Sequence, residues 1–220
     1  MVTFDDGTSN VTLGINLAGS TTAYGELPWR KHSWVPTGGV NGTGAINMHW
    51  STGMGIGFSP VWITVPRAQH FKLRYVVKQT APMQHAGSAI KLLRMCTTVG
   101  CGGGSRIGTL ESKQGQFVFY WDDYETGAAT NLGAAVPTDS QWHVYELELD
   151  YRTTSPTVTF WLDGLYIRQD TAPRSMAFPA GSSMVMSPFA EMYSCGNTGC
   201  QATINTGDYT VDDFSFTALP

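Results

Sequence analysis

Residues 142–151 and 157–162 alternate apolar and polar side chains with a period of two. Tyr145, Leu147, Leu149 and Tyr151 fall on one face of a strand, and Glu146, Glu148 and Asp150 fall on the other. One face is buried and one is wet. The second run repeats the pattern with Val158, Phe160 and Leu162, then breaks at Asp163-Gly164, a dipeptide that favours a tight hairpin into 165–168. Residues 71–78 alternate in the same way: Phe71, Leu73, Tyr75 and Val77 on one side, Lys72, Arg74, Val76 and Lys78 on the other, so part of one sheet face carries cations. Shorter β-branched or aromatic runs bounded by Gly or Pro predict further strands over 44–50, 61–65, 90–95 and 116–121. Loops are expected over 38–43, 96–105, 126–140 and 172–183, the third being Ala/Gly/Thr-rich and the best candidate for mobility. No convincing helix, internal repeat or low-complexity tail is present.

A strand opening Trp142-His143-x-Tyr145, followed by one ending Phe160-Trp161-Leu162-Asp163-Gly164, resembles the concanavalin A-like lectin/glucanase jelly roll, a sandwich used by lectins, laminarin-type hydrolases and several polysaccharide lyases. The resemblance implies an all-β fold of two antiparallel sheets. A single domain over 1–220 is expected, since a β-sandwich of this length holds a core that needs no staples.

Composition narrows the setting. With 25 glycines and only 14% charged residues, the surface is built from Thr, Ser, Asn and Gly, which suits an extracellular or virion surface. The net charge of -4 is weak, and no Lys/Arg run interleaves with aromatics, so no nucleic-acid partner is expected. No apolar run approaches the ~20 residues of a membrane span. The polar start at Met1 is no signal peptide, so export would be signalled outside these residues or would follow another route, such as virion release.

Four cysteines form two matching clusters, Cys96 with Cys101 and Cys195 with Cys200, each pair separated by four residues with Gly before the second thiol. Gly permits the sharp reversal of a local bridge, which favours Cys96–Cys101 and Cys195–Cys200, with cross-pairing of the two clusters as the second choice. A four-cysteine zinc site is the competing reading, against which stand the absence of His in either cluster and an oxidising setting.

Near the termini, Phe4-Asp5-Asp6-Gly7 and Tyr209-Thr-Val-Asp212-Asp213-Phe214 are similar to the first and last strands of carbohydrate-binding jelly rolls. The resemblance implies a structural calcium held by Asp5, Asp6, Asp212 and Asp213 with nearby carbonyls. The alternative is a turn at Asp5-Asp6-Gly7 and an Asp212 or Asp213 that caps a loop amide.

Catalytic sets are sparse. The Glu-x-Asp-x-x-Glu motif of laminarin-type hydrolases does not occur, and Glu146, Glu148 and Asp150 read as a solvated strand face rather than an acid/base pair. For a lyase, which needs a base and a group that neutralises a uronate carboxylate, the chain offers His49, Arg74 and Tyr120, with Arg30, Lys31, His32, Lys72, Lys78 and Arg94 as further parts. Neither an Arg-Ser/Thr-Glu-x-Arg nor a Gln-Ile-His strand accompanies them. Each also has an ordinary reading as a satisfied imidazole or a snorkelling cation.

Seven tryptophans and nine tyrosines support binding, since sugar rings stack on aromatic faces while Asn, Asp and Gln take the hydroxyls. Ligand-binding candidates are Trp29, Arg30 and Trp34, then Trp121, Asp122, Asp123 and Tyr124, with Trp161 beside them. Trp142 is assigned to the core, as are Trp50 and Trp62. A non-catalytic, lectin-like module for polysaccharide is therefore the leading expectation. A lyase acting on a uronic-acid polymer and a phage or virus decoration protein gripping a capsid surface are the alternatives.

Overall fold

Period-two alternation is realised almost throughout the computed structural model, which describes residues 15–17, 32–50, 61–82, 90–98, 104–121, 128–188, 191–192 and 205–220. Fifteen strands and a single turn of 3-10 helix, Val40–Gly42, are among them. In chain order the strands are β1 (Ile15–Leu17), β2 (His32–Val35), β3 (Ala45–Trp50), β4 (Val61–Pro66), β5 (His70–Gln79), β6 (Ile90–Cys96), β7 (Arg106–Lys113), β8 (Gln116–Tyr120), β9 (Ala129–Ala135), β10 (Trp142–Asp150), β11 (Thr157–Leu162), β12 (Leu165–Thr171), β13 (Ser183–Ser187), β14 (Glu191–Met192) and β15 (Gly207–Ala218). A seven-stranded sheet runs β12-β11-β10-β5-β15-β3-β2. An eight-stranded one runs β1-β4-β13-β6-β7-β8-β9, with β14 also paired to β6. All described ladders are antiparallel. This is the two-sheet antiparallel β-sandwich expected, consistent with a jelly roll.

One core lies between the sheets. The seven-stranded sheet contributes Phe71, Leu73, Tyr75, Tyr145, Leu147, Phe160 and Phe214, and the eight-stranded sheet contributes Ile63, Leu110, Phe117, Phe119 and Met186. Phe117 meets Tyr145 edge-on at 4.9 Å and Phe160 at 4.8 Å, so aromatic packing stitches the two layers together. Each such side chain, fully buried, contributes about 1.5–3 kcal/mol relative to exposure.

Tight turns join neighbouring strands. Asp163 and Gly164 have φ of 53° and 76°, and Gln114 and Gly115 repeat the device with 53° and 76°, the left-handed pairs that match the twist of a two-residue hairpin. The second hairpin creates β7, a strand absent from the sequence expectation. Residues 126–140, expected to be a mobile loop, contain β9 instead: Thr130 and Leu132 point inward while Ala129, Asn131 and Gly133 stay exposed. Its Ala/Asn/Gly composition has low β propensity, and pairing with β8 overrides it.

Two tryptophans exchange roles relative to expectation. Trp121 is 0% exposed, packs edge-on against Phe119 and donates its indole N–H to Thr130 Oγ1 at 3.3 Å, so it is a core residue and not a sugar platform. Trp142 stands on the outer face of β10, half-buried, with the Lys78 ammonium 4.8 Å above its ring. Alternation explains the swap, because Trp142 shares parity with Glu146 rather than with Tyr145. Trp50 is fully buried, as expected. The side chain of Trp62 lies outside the described residues.

Candidate functional site

Burying a charge is costly unless opposite charge or hydrogen bonds replace the lost water. Lys91, Arg94 and Glu111 are nevertheless 2%, 5% and 0% exposed, and all three stand on the face of the eight-stranded sheet turned away from the core. Two transverse rows build this surface. Strand register aligns Ser187, Arg94, Thr109, Tyr120 and Ala129 across β13, β6, β7, β8 and β9. A neighbouring row aligns Glu191, Lys91, Glu111, Val118 and Asn131 across β14, β6, β7, β8 and β9. Lys91 thus sits directly across from Glu111, the cross-strand pairing that favours opposite charges.

A β-bulge makes the two cations neighbours on this face. Register shifts between Lys91 and Leu93, and the extra residue, Leu92, lets positions three apart share one side of β6. Without it, Lys91 and Arg94 would point to opposite faces. Thr109, Tyr120 and Ser187 beside them are buried too, whereas Ala129 and Asn131 on β9 are exposed, so the surface opens at its β9 edge. Lys91, Arg94, Glu111, Tyr120 and Ser187 are each engaged with a neighbour. Arg94 and Tyr120 are two strands apart, about 10 Å between their Cα atoms, and Thr109 lies between them. Both side chains are buried, 5% and 8% exposed.

The lyase set expected from sequence does not assemble. Tyr120 belongs to the surface just described, but His49 and Arg74 stand on the outer face of the seven-stranded sheet, on the far side of the core. His49 Nδ1 lies 3.0 Å from Asp208 Oδ1, which also accepts a hydrogen bond from Asn47 Nδ2 at 2.9 Å. Asp208 and Ser215, the β15 partners of His49 and Arg74, are seven positions apart, and with the bulge between them discounted this is about 20 Å along the strand. His49 and Arg74 do not converge even with each other. Glu146, Glu148 and Asp150 form the expected polar face, and each has a partner: Lys72 Nζ at 3.1 Å, His70 Nε2 at 2.9 Å and Arg152 Nη2 at 2.7 Å. The last of these ion pairs, foremost among its causes, holds the Asp150 pKa down at about 2.

Of the expected ligand-binding residues, Trp29, Arg30, Asp122, Asp123 and Tyr124 lie outside the described residues, as does the side chain of Trp34 on β2. Asp5 and Asp6, expected at a calcium, lie outside them as well. Asp212 is described, 1% exposed, and its carboxylate accepts Val40 N–H at 2.8 Å, Thr43 Oγ1–H at 3.0 Å and Asp213 N–H at 2.8 Å. That is the capping alternative: an acceptor filled by donors, which fastens the 39–43 turn onto β15. A calcium takes six to eight oxygens, and among the described residues no group of three His, Cys, Asp or Glu comes together to hold a metal. Cys96 is fully buried at the end of β6, and Cys101, Cys195 and Cys200 lie outside the described residues. Among the described residues no helix is long and apolar enough to cross a membrane.

Sequence reasoning missed Lys91, Thr109, Glu111 and Ser187. A readable signal existed in β7, where Thr109 and Glu111 alternate with Gly108 and Leu110 ahead of a Gln114-Gly115 turn. In β6 the bulge breaks the alternation and hides it.

No protein-family model matches this chain, and no curated protein matches its sequence. Solved structures share its fold. The cellulose-induced protein Cip1 is 12% identical, covers 98% of this chain and 95% of its own, and gives a TM-score of 0.64. An endo-β-1,4-glucuronan lyase from the fungus Trichoderma reesei is 12% identical over 93% of each chain, with a TM-score of 0.60. The alginate lyase Aly36B is 12% identical over 99% of this chain and 96% of its own, with a TM-score of 0.59. At this identity the likeness shows the sandwich fold.

Proposed function

We propose that the chain binds an acidic polysaccharide on the outer face of its eight-stranded sheet. The observation that carries this reading is the pair of transverse rows that gather Lys91, Arg94, Thr109, Glu111, Tyr120 and Ser187 on one covered surface open at β9. Lys91 and Arg94 supply charge for sugar carboxylates, Thr109 and Ser187 supply hydroxyl partners, and Tyr120 supplies a ring edge and a phenol. The choice of polymer is supported by two solved structures of this fold, named as lyases of glucuronan and alginate. An extracellular setting suits such a ligand, with bridges Cys96–Cys101 and Cys195–Cys200. Cys96 is disulfide-bonded, which supports a bridge rather than a zinc site at the end of β6.

A second reading, β-elimination, is favoured by the row that holds Arg94 and Tyr120 together across Thr109. Elimination needs a base for the proton beside the uronate carboxylate and a cation to neutralise that carboxylate as negative charge builds. Tyr120 would take the proton, Arg94 would hold the carboxylate, and the glycosidic C–O bond would break as the C=C bond forms, leaving an unsaturated uronate on one product and, on the other, a hydroxyl that takes its proton from Tyr120 or water. Polyglucuronate and alginate assayed for retention and for unsaturated-uronate absorbance test both readings. Binding without absorbance supports the module, binding with absorbance lost in Tyr120→Phe supports the lyase, and no binding to either polymer contradicts both.

A further inference from the structure

The opposite side of the molecule carries a second set of groups that this reading leaves unused. On the outer face of the seven-stranded sheet, register aligns Arg74, Glu146, Trp161 and Tyr166 across β5, β10, β11 and β12, and pairs Lys78 with Trp142 two rows away. Val76 and Val144 form an apolar floor between them. Tyr166 is 61% exposed, one of two large hydrophobic side chains so exposed among the described residues. It meets Trp161 edge-on at 6.4 Å.

The cations of this face gather on β5, beside the acids of β10. The protein has 17 acidic and 13 basic residues, yet Lys72, Arg74 and Lys78 occupy three of the outward positions of β5 and only Val76 interrupts them. The acids nearby are already committed. Glu146, directly across from Arg74, lies 3.1 Å from the Lys72 ammonium, which itself sits 4.4 Å above the Trp161 ring. Glu148 lies 2.9 Å from His70, and Asp163 and Asp139 lie 2.7 and 3.0 Å from His143. Among the described residues Arg74 therefore makes no ion pair, although it stands in the middle of the face.

We propose that this face is a second, open binding surface for acidic polysaccharide chains, with Arg74 and Lys78 contacting carboxylates and Trp161 with Tyr166 stacking on sugar rings. The proposal is independent of whether the covered site turns its ligand over. Trp142 and Trp161 are separated by four residues along β10 and one strand across it, about 14 Å, so a ligand that touches both is an extended chain rather than a single sugar. Stacking on a half-exposed ring and a charge-assisted contact to a guanidinium each add to affinity without a closed pocket.

Affinity electrophoresis of the full chain in gels containing polyglucuronate, alginate or a neutral glucan, paired with titration of a uronate tetrasaccharide, tests this. Arg74→Gln and Tyr166→Ala, both at positions away from the core, should each weaken retention by the acidic polymers about tenfold, the loss of one charge-assisted or stacking contact. The tetrasaccharide affinity, set by the covered site, should stay in place in both variants, whereas Tyr120→Phe should weaken it. Unchanged retention of both Arg74→Gln and Tyr166→Ala overturns the second surface while leaving the first intact. So does equal, charge-independent retention by the neutral glucan, which would leave Arg74 without a task. If Tyr120→Phe alone abolishes all retention, one site suffices and the proposal fails.

Discussion

His143 Nδ1 lies 2.7 Å from Asp163 Oδ2, tying the start of β10 to the tip of the β11–β12 hairpin. The other oxygen of Asp163 accepts the Val144 N–H at 2.8 Å, and Asp139 Oδ1 lies 3.0 Å from His143 Nε2. The Trp-His-x-Tyr and Trp-Leu-Asp-Gly signatures thus meet in a structural clasp: His comes from one and Asp from the other. The clasp explains why those residue types sit there without recourse to catalysis.

Burial alone would depress the His143 pKa, but the Asp163 and Asp139 carboxylates outweigh it and hold the imidazole above its ordinary value. A pKa raised on folding gives stability that is complete below the unfolded value, about 6.5, and is lost as pH climbs through the folded one. His70, raised chiefly by Glu148 against its own burial, acts with the same sign. His143→Gln should therefore cost about 1–2 kcal/mol near pH 6, a gap that narrows as pH rises. Urea unfolding of both proteins from pH 5 to 9 measures it, and a gap that widens with pH contradicts the clasp.

Trp121→Ala should destabilise the fold by about 3–5 kcal/mol, the cost of emptying a fully buried aromatic site. Trp142→Ala, which removes a half-exposed ring and its contact with Lys78, should cost on the order of 1 kcal/mol. Unfolding midpoints in urea give the order, and the reverse order would mean that the two rings have been placed on the wrong faces.

Gly108 supplies a third test. A methyl group there would come within 2.4 Å of Phe119 Cζ, beneath a core ring that has no room to retreat. Gly108→Ala should therefore lose about 1–3 kcal/mol by overpacking. A neutral effect on the melting temperature would show that the β7–β8 packing is looser than described.

At Asp212 the expected loss is about 1–3 kcal/mol for Asp212→Ala, which strands the N–H donors of Val40 and Asp213. If those hydrogen bonds alone fasten the turn, EDTA leaves the wild-type melting temperature in place. A chelator-sensitive midpoint would return calcium to this corner.

How much of this was legible depended on where alternation holds. β5, β10 and β11 keep strict parity, so their buried and wet faces, including the cations of β5, could be read residue by residue. β6 could not, because Leu92 in its bulge reverses the parity between Lys91 and Arg94. β9 is Ala/Gly/Asn-rich and carries no β signal of its own. Trp121 was ambiguous for a different reason: aromatic type reports size and stacking capacity, and only the partner strand decides which face it takes. The covered site depends on register across five strands, information held by no single segment.

The measurement that bears most directly on the central claim is a crystal structure of the protein with a bound uronate tetrasaccharide. Sugar density is expected across the Arg94–Thr109–Tyr120 row, with a carboxylate within hydrogen-bond distance of Arg94 or Lys91 and the chain leaving over Ala129 and Asn131 at the β9 edge. Well-defined sugar elsewhere, with that row untouched at saturating ligand, would contradict it.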